Sequence, residues 1–132
     1  MITLADYFMG RDREYASELT EELRVNAGHI VARANLLLAR AGLARRVTSG
    51  WRPAAINAAV ENAAKESRHI VCLAIDIEDA DGALDAWCMA NPRALEDIGL
   101  WLEHPSATPR WCHVQIVPYR SWVPGKPRHF HP

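Results

Sequence analysis

The sequence predicts an α+β fold, with N-terminal helices packed on a small, mostly antiparallel sheet, and three observations predict it. A helical periodicity occupies the first third of the chain, short β-branched and aromatic runs occupy most of the rest, and turn or cap signals separate those runs. With 132 residues and 49% hydrophobic content the chain suffices for one compact core. It is therefore read as a single domain, 1–132, with a helical part at 1–45, a sheet carrying the candidate site at 46–120 and a tail at 121–132.

Taken in order, Leu4 to Phe8 is a short apolar segment expected to pack back on the core. From Leu19 the apolar positions Leu23, Ala27, Ile30, Val31, Ala34, Leu38 and Ala41 recur at three and four. Thr20 followed by Glu21 and Glu22 reads as the start of this helix and Gly42 as its stop, with Asn26 and Gly28 as positions where it can break in two. Then come RRVTSGW, VCLAIDI, GLWLE and RWCHVQIV, all of strand character. Between the second and third, Asp81 is placed to cap a helix over GALDAWCMA. Asn91-Pro92 ends that helix and starts another, which Gly99 closes. VPGKPRHFHP reads as an extended tail with exposed histidines.

Composition excludes several function classes. Fifteen Lys+Arg against sixteen Asp+Glu leave a net charge of -1, without the basic excess of a nucleic-acid footprint. Arg40, Arg45 and Arg46 read as a solvated helix end. No stretch has the length of a membrane span, and the N-terminus lacks the pattern of a signal peptide, so synthesis in the cytoplasm is expected. Cys72, Cys88 and Cys112 are odd in number and form no CxxC pair, which argues for reduced thiols.

The chemistry concentrates in SRHIVCLAIDI, residues 67–77. An ionised carboxylate in a greasy β-like run is costly unless neutralised. Alternation puts Leu73, Ile75 and Ile77 on one face and Cys72, Ala74 and Asp76 on the other. The same count on RWCHVQIV puts Trp111, His113 and Gln115 together, away from Cys112, Val114 and Ile116. Asp76 then faces backbone donors, an arginine, or a divalent metal shared with His69 and His113. A metal requires its ligands to converge from separate segments, since zinc holds nitrogen and oxygen donors at about 2.0–2.2 Å.

Ser67-x-His69, Cys72-x-Ala74-x-Asp76 and Trp111-x-His113 together resemble the SxHxxGxAxD plus WxH pattern of the zinc D-alanyl-D-alanine carboxypeptidase family. That family comprises peptidoglycan peptidases, phage endolysins among them, and shares its fold with the hedgehog signalling domain. SGWRP, residues 49–53, is similar to the family's SGYRP-like segment, and the likeness runs from about Val47 to about Val117. It implies zinc held by His69, Asp76 and His113 with a fourth position open, as in catalytic rather than structural sites. It further implies that Arg52 stabilises the carbonyl oxygen and that Ser67 orients the loop or touches substrate. Gln115 shares the face of His113 and supports it or the substrate, while the tryptophans read as core or cleft walls, of which Trp51 or Trp111 can stack on substrate.

Two departures stand out. Cys72 replaces the family glycine, which requires an ordinary backbone there and brings a thiol near the site as a possible fourth ligand. Arg110 stands where many members carry the acid that serves as general base, three residues before the last histidine, and an arginine cannot take a proton. Glu103, across the hairpin, is the carboxylate expected to replace it. The implied function is hydrolysis of amide bonds in peptidoglycan stem peptides or cross-links by a phage, prophage or bacterial enzyme acting on the wall after release. The competing expectations are a non-catalytic zinc module of the same fold and a helical interaction protein without metal.

Overall fold

A computed structural model describes residues 1–60 and 63–132. Helices α1 (Leu4–Phe8), α2 (Arg11–Glu14) and α3 (Glu21–Ala41) precede strand β1 (Val47–Ser49), helix α4 (Ala54–Ala59) and strand β2 (Ala74–Glu78). Helices α5 (Ala83–Ala90) and α6 (Pro92–Ile98) then lead to β3 (Trp101–Glu103), β4 (Trp111–Gln115) and β5 (His129–Phe130). The five strands form one mixed sheet in the order β1-β2-β4-β3-β5, antiparallel except for the β3–β5 pair. Helices and sheet together give the α+β class that the periodicities predict.

Helix α3 runs unbroken. The Thr20 side chain accepts from the Leu23 amide, and Gly42 closes the helix in the left-handed conformation. Neither Asn26 nor Gly28 interrupts it, because Ala27, Ile30, Val31, Ala34, Leu37 and Leu38 bury a continuous stripe against the sheet. Asn26 instead donates from Nδ2 to the Val71 carbonyl, tying the helix to the loop before β2.

Asp81 accepts from the Ala83 amide, but the principal cap of α5 is Asp79, whose two oxygens take the Leu84 and Asp85 amides. Helix α4 was not legible in the sequence. The tail is likewise not a free extension. Leu102 and His104 donate to the carbonyls of Arg128 and Phe130, so the chain returns as an edge strand beside β3. The Arg128 guanidinium lies 4.2 Å from the Trp101 ring, with Trp122 at 5.3 Å, which fastens the approach to that strand.

One face of the sheet is core: Ile75, Ile77, Leu102, Cys112 and Val114 all lie against α3 and its neighbours. The opposite face of the central strands carries polar groups. Asp76 of β2 pairs with His113 of β4, and one step beyond the Leu102–Val114 pair the register sets Glu103 of β3 beside His113. Phe130 of β5 pairs with Glu103, and Ser49 of β1 with Asp76. A single row across the sheet therefore reads Ser49, Asp76, His113, Glu103, Phe130.

Candidate metal centre

His69 enters this row from a loop. The loop closes as a helical turn does: Leu73 donates to the Arg68 carbonyl at 3.0 Å and Cys72 to the His69 carbonyl at 3.4 Å. Cys72, at the turning point, has φ 59, the conformation that favours glycine. The ordinary backbone that a cysteine in the glycine's place would require is thus not what the chain adopts. Its strand parity is corrected too, because Cys72 precedes β2 and its buried thiol meets the Tyr7 hydroxyl in the core. Burial pushes that thiol up to about 12. It does not converge with the ligand atoms, and a fourth sulfur ligand is not what the structure assembles.

The SGWRP segment clamps the loop from the other side. Arg52 N donates to the His69 carbonyl at 3.1 Å, and Trp51 Nε1 donates to the Ile70 carbonyl at 3.0 Å. Trp51 is 1% exposed, packs edge-on against Phe8 and does not line the cleft, so of its two readings, core and substrate stacking, the structure places it in the core. Gly50 admits no side chain, since a Cβ would lie 1.9 Å from the Tyr7 carbonyl oxygen. Its own carbonyl accepts from His69 Nδ1 at 2.8 Å.

That bond fixes the ring's chemistry. With Nδ1–H committed to a carbonyl, neutral His69 presents a bare lone pair at Nε2, which is buried, has no hydrogen-bond partner and lies 3.3 Å from Asp76 Oδ1. His113 is fixed in the complementary sense. Gln115 donates from Nε2 to the Val117 carbonyl, so its Oε1, 3.0 Å from His113 Nε2, must accept. Neutral His113 then turns the Nδ1 lone pair toward the same Asp76 Oδ1, at 2.7 Å. Three acceptors, from a loop and two strands, lie mutually within 4.8 Å with no donor between them. The arrangement demands a cation: protons on the imidazoles, or a divalent ion in their midst. Two imidazoles and a carboxylate, each imidazole anchored through its other nitrogen, form a donor set that fits such an ion.

Asp76 Oδ2 has a partner of its own. Arg52 Nη2 lies 3.2 Å away, while Nε reaches Ser49 Oγ at 2.9 Å and Nη1 reaches Asn57 Oδ1 at 3.2 Å. The arginine and the imidazoles that the sequence left as alternatives therefore occupy different oxygens of one carboxylate. Burial acts to raise Asp76, but when the imidazoles carry protons the charge of His69 and the hydrogen bonds that both rings then donate overcome it and hold the group far below the usual carboxylate range. Burial lowers His69. It acts the same way on His113, where the hydrogen bond and charge of Asp76 outweigh it and raise the ring.

Glu103 Oε2 lies 3.8 Å from His113 Nδ1. Desolvation, followed by the charge of Asp76, pushes its pKa up, against the pull of His113 and Arg52. Arg110, three residues before His113, has φ 76 and lines a different depression beside Asp79 and Asp85, not the row of polar groups.

Around these groups opens a cleft of about 560 Å³, lined by Arg52, Ser67, His69, Asp76, Glu103, Trp111, His113 and Gln115 among others. Ser67 Oγ accepts from the His69 amide at 3.2 Å and so orients the loop. Sequence reasoning missed Asn57, which sits on the unread helix α4, and Phe130 and Pro132, which wall the cleft from the tail. Neither the Gly50 carbonyl nor Asn57 or Phe130 carries a local signal that sequence reading could have used.

Among the described residues no helix is long and apolar enough to cross a membrane. No family model matches the chain, and no curated protein or solved structure matches it.

Proposed function

We propose that the cleft is the active site of a zinc-dependent peptidase acting on amide bonds of peptidoglycan stem peptides or cross-links. The observation that carries the metal part is the meeting of three buried lone-pair atoms on His69, Asp76 and His113. Two nitrogens and one carboxylate oxygen suit zinc better than calcium or magnesium, which prefer all-oxygen shells. The peptidoglycan substrate rests on the likeness of SRHIVCLAIDI, WCH and SGWRP to the carboxypeptidase pattern.

When bound, zinc would polarise the scissile carbonyl and acidify a water. The chain's own residues supply the rest. Glu103 Oε2 takes the proton of the attacking water and returns it to the departing amine, a role its raised pKa suits. A guanidinium has five N–H donors and Arg52 uses three on Ser49, Asn57 and Asp76, so two remain for the carbonyl oxygen as it gains charge. Gln115 and Gly50 hold the imidazole tautomers, and Ser67 holds the loop.

The test is digestion of purified peptidoglycan or a D-Ala-D-Ala-terminated peptide, following new amine termini, by the zinc-loaded wild type and by Glu103→Gln. Turnover that falls by about 10²–10⁴-fold in the variant, with zinc content unchanged, supports the assignment. Undiminished turnover removes Glu103 from the mechanism. A second reading, a non-catalytic zinc module, is favoured by Arg110 at the acid's usual position; it predicts bound zinc and intact substrate in both proteins.

A further inference from the structure

The row across the sheet gives the cleft a direction. Its β1 end carries Ser49 and the Arg52 guanidinium bonded to it, and its other end carries Glu103 and Phe130, paired in register. Among the described residues Arg52 and Arg68 are the only arginines or lysines that line the cleft. Both belong to the β1 end, because Arg68 precedes His69 on the loop that the Arg52 amide and the Gly50 carbonyl clamp. Ala107 and Pro109, from the connection between β3 and β4, join Phe130 and Pro132 in lining the other end. The cations of the tail are engaged elsewhere. Arg128 lies against Trp101 and Trp122 and donates to the Leu100 carbonyl at 3.3 Å, while the Lys126 ammonium donates to the Ser121 carbonyl. His129 and His131 alternate with Phe130 along the tail and do not line the cleft.

We propose that the chain is an endopeptidase: it cuts amide bonds inside a peptide or cross-link and spares those whose leaving residue ends in a free carboxylate. This rests on the peptidase reading above, with Glu103 as the proton carrier. The departing nitrogen must come within about 2.6–3.2 Å of the Glu103 carboxylate to receive its proton. Only two bonds, about 2.5 Å, separate that nitrogen from the carboxyl carbon of its own residue. The leaving residue's carboxyl group is therefore delivered beside Glu103, whatever its side chain. A free carboxylate there meets a like charge and an apolar wall, with no cation to offset the repulsion. A carboxyl group already in amide linkage is neutral and meets no such barrier. In the reaction the carbonyl carbon gains the water oxygen and loses the amide nitrogen, which leaves with the proton that Glu103 took from the water. The products are a carboxyl group and an amine whose own carboxyl is still an amide.

The test digests purified cross-linked peptidoglycan with the zinc-loaded full chain and identifies by mass spectrometry which products carry the new amine termini. Peptides or amide-bearing residues are expected, and free amino acids are not. Two peptides are then built around the bond that is cut, each ending at the leaving residue, one as a free acid and one as a primary amide. The amide is expected to be cut with a kcat/KM about tenfold or more above that of the acid. Phe130→Arg places a cation on the leaving side and should narrow that ratio about tenfold; Pro132→Arg does the same should the first variant fail to fold. Release of free amino acid, equal cutting of acid and amide, or a ratio that neither arginine narrows overturns the inference and leaves the peptidase standing. If no substrate yields new amine termini, the peptidase reading itself is removed and this inference falls with it.

Discussion

Two aspartates, nine positions apart in sequence, are buried to nearly the same degree, Asp76 at 6% exposure and Asp85 at 5%, yet their surroundings drive them in opposite directions. Asp76 has an arginine on one oxygen and two imidazoles on the other and is held far below the usual range. Asp85 has Thr108 Oγ1 on one oxygen and no partner on the other, and burial pushes it up to about 6. The nearby Asp79 carboxylate adds to that rise, while the Cys112 thiol and Thr108 pull against it. Burial alone thus makes a carboxyl group want its proton; only converging cationic partners keep it ionised.

The sharpest way to break this contrast is to remove the carboxylate with partners. Asp76→Ala leaves Arg52, 13% exposed, without its charge partner, and such a loss costs about 3–5 kcal/mol in chemical denaturation of the metal-free protein. The same variant should lose the stabilisation that zinc gives the wild type, about 2.7 kcal/mol at a hundredfold excess over Kd. Equal zinc stabilisation of both proteins would contradict the assigned centre.

Asp85→Asn probes the other side. Folded Asp85 keeps its proton up to about 6, whereas the unfolded chain releases it near 3.8, so wild-type stability falls as pH rises through that window. Asparagine has no proton to lose. The variant should gain about 1–3 kcal/mol over wild type above about pH 7 and nothing below about pH 4. Urea titrations at the two pH values check this; a variant destabilised at both would show that Asp85 is better partnered than its surroundings indicate.

The smallest effect tests the frame rather than the charges. Cys72→Gly relieves the left-handed strain at φ 59 while losing a buried thiol, and Cys72→Ala loses the thiol and keeps the strain. The glycine variant should be the more stable of the two by about 1 kcal/mol. The reverse order would mean that the loop carrying His69 is not strained at this residue.

Much of this architecture could be read from the residues because its signals are local. Thr20 and Gly42 bound α3 in both sequence and structure, and strand alternation set His113 and Gln115 on the face where they stand. Asp76 and His113 were legible as partners from parity and resemblance together. What escaped depends on distant contacts. AAINAA is too short and too uniform to show a period, and its helix is held in part by Asn57 bonding Arg52 and Ala64. Trp51 and Cys72 turn inward because Phe8 and Tyr7 fold back on them, which no local count reveals. The tail becomes a strand only because β3 offers it an unpaired edge.

The row from Ser49 to Phe130 makes the centre a gauge of pairing fidelity. Its members arrive from five strands that are remote in sequence, and slipping β4 by one residue would offer Cys112 or Val114 where His113 belongs. On the proposed metal assignment, an ion captured by refolding protein would register the moment at which the whole sheet has locked into its native alignment, and misaligned molecules would stay silent.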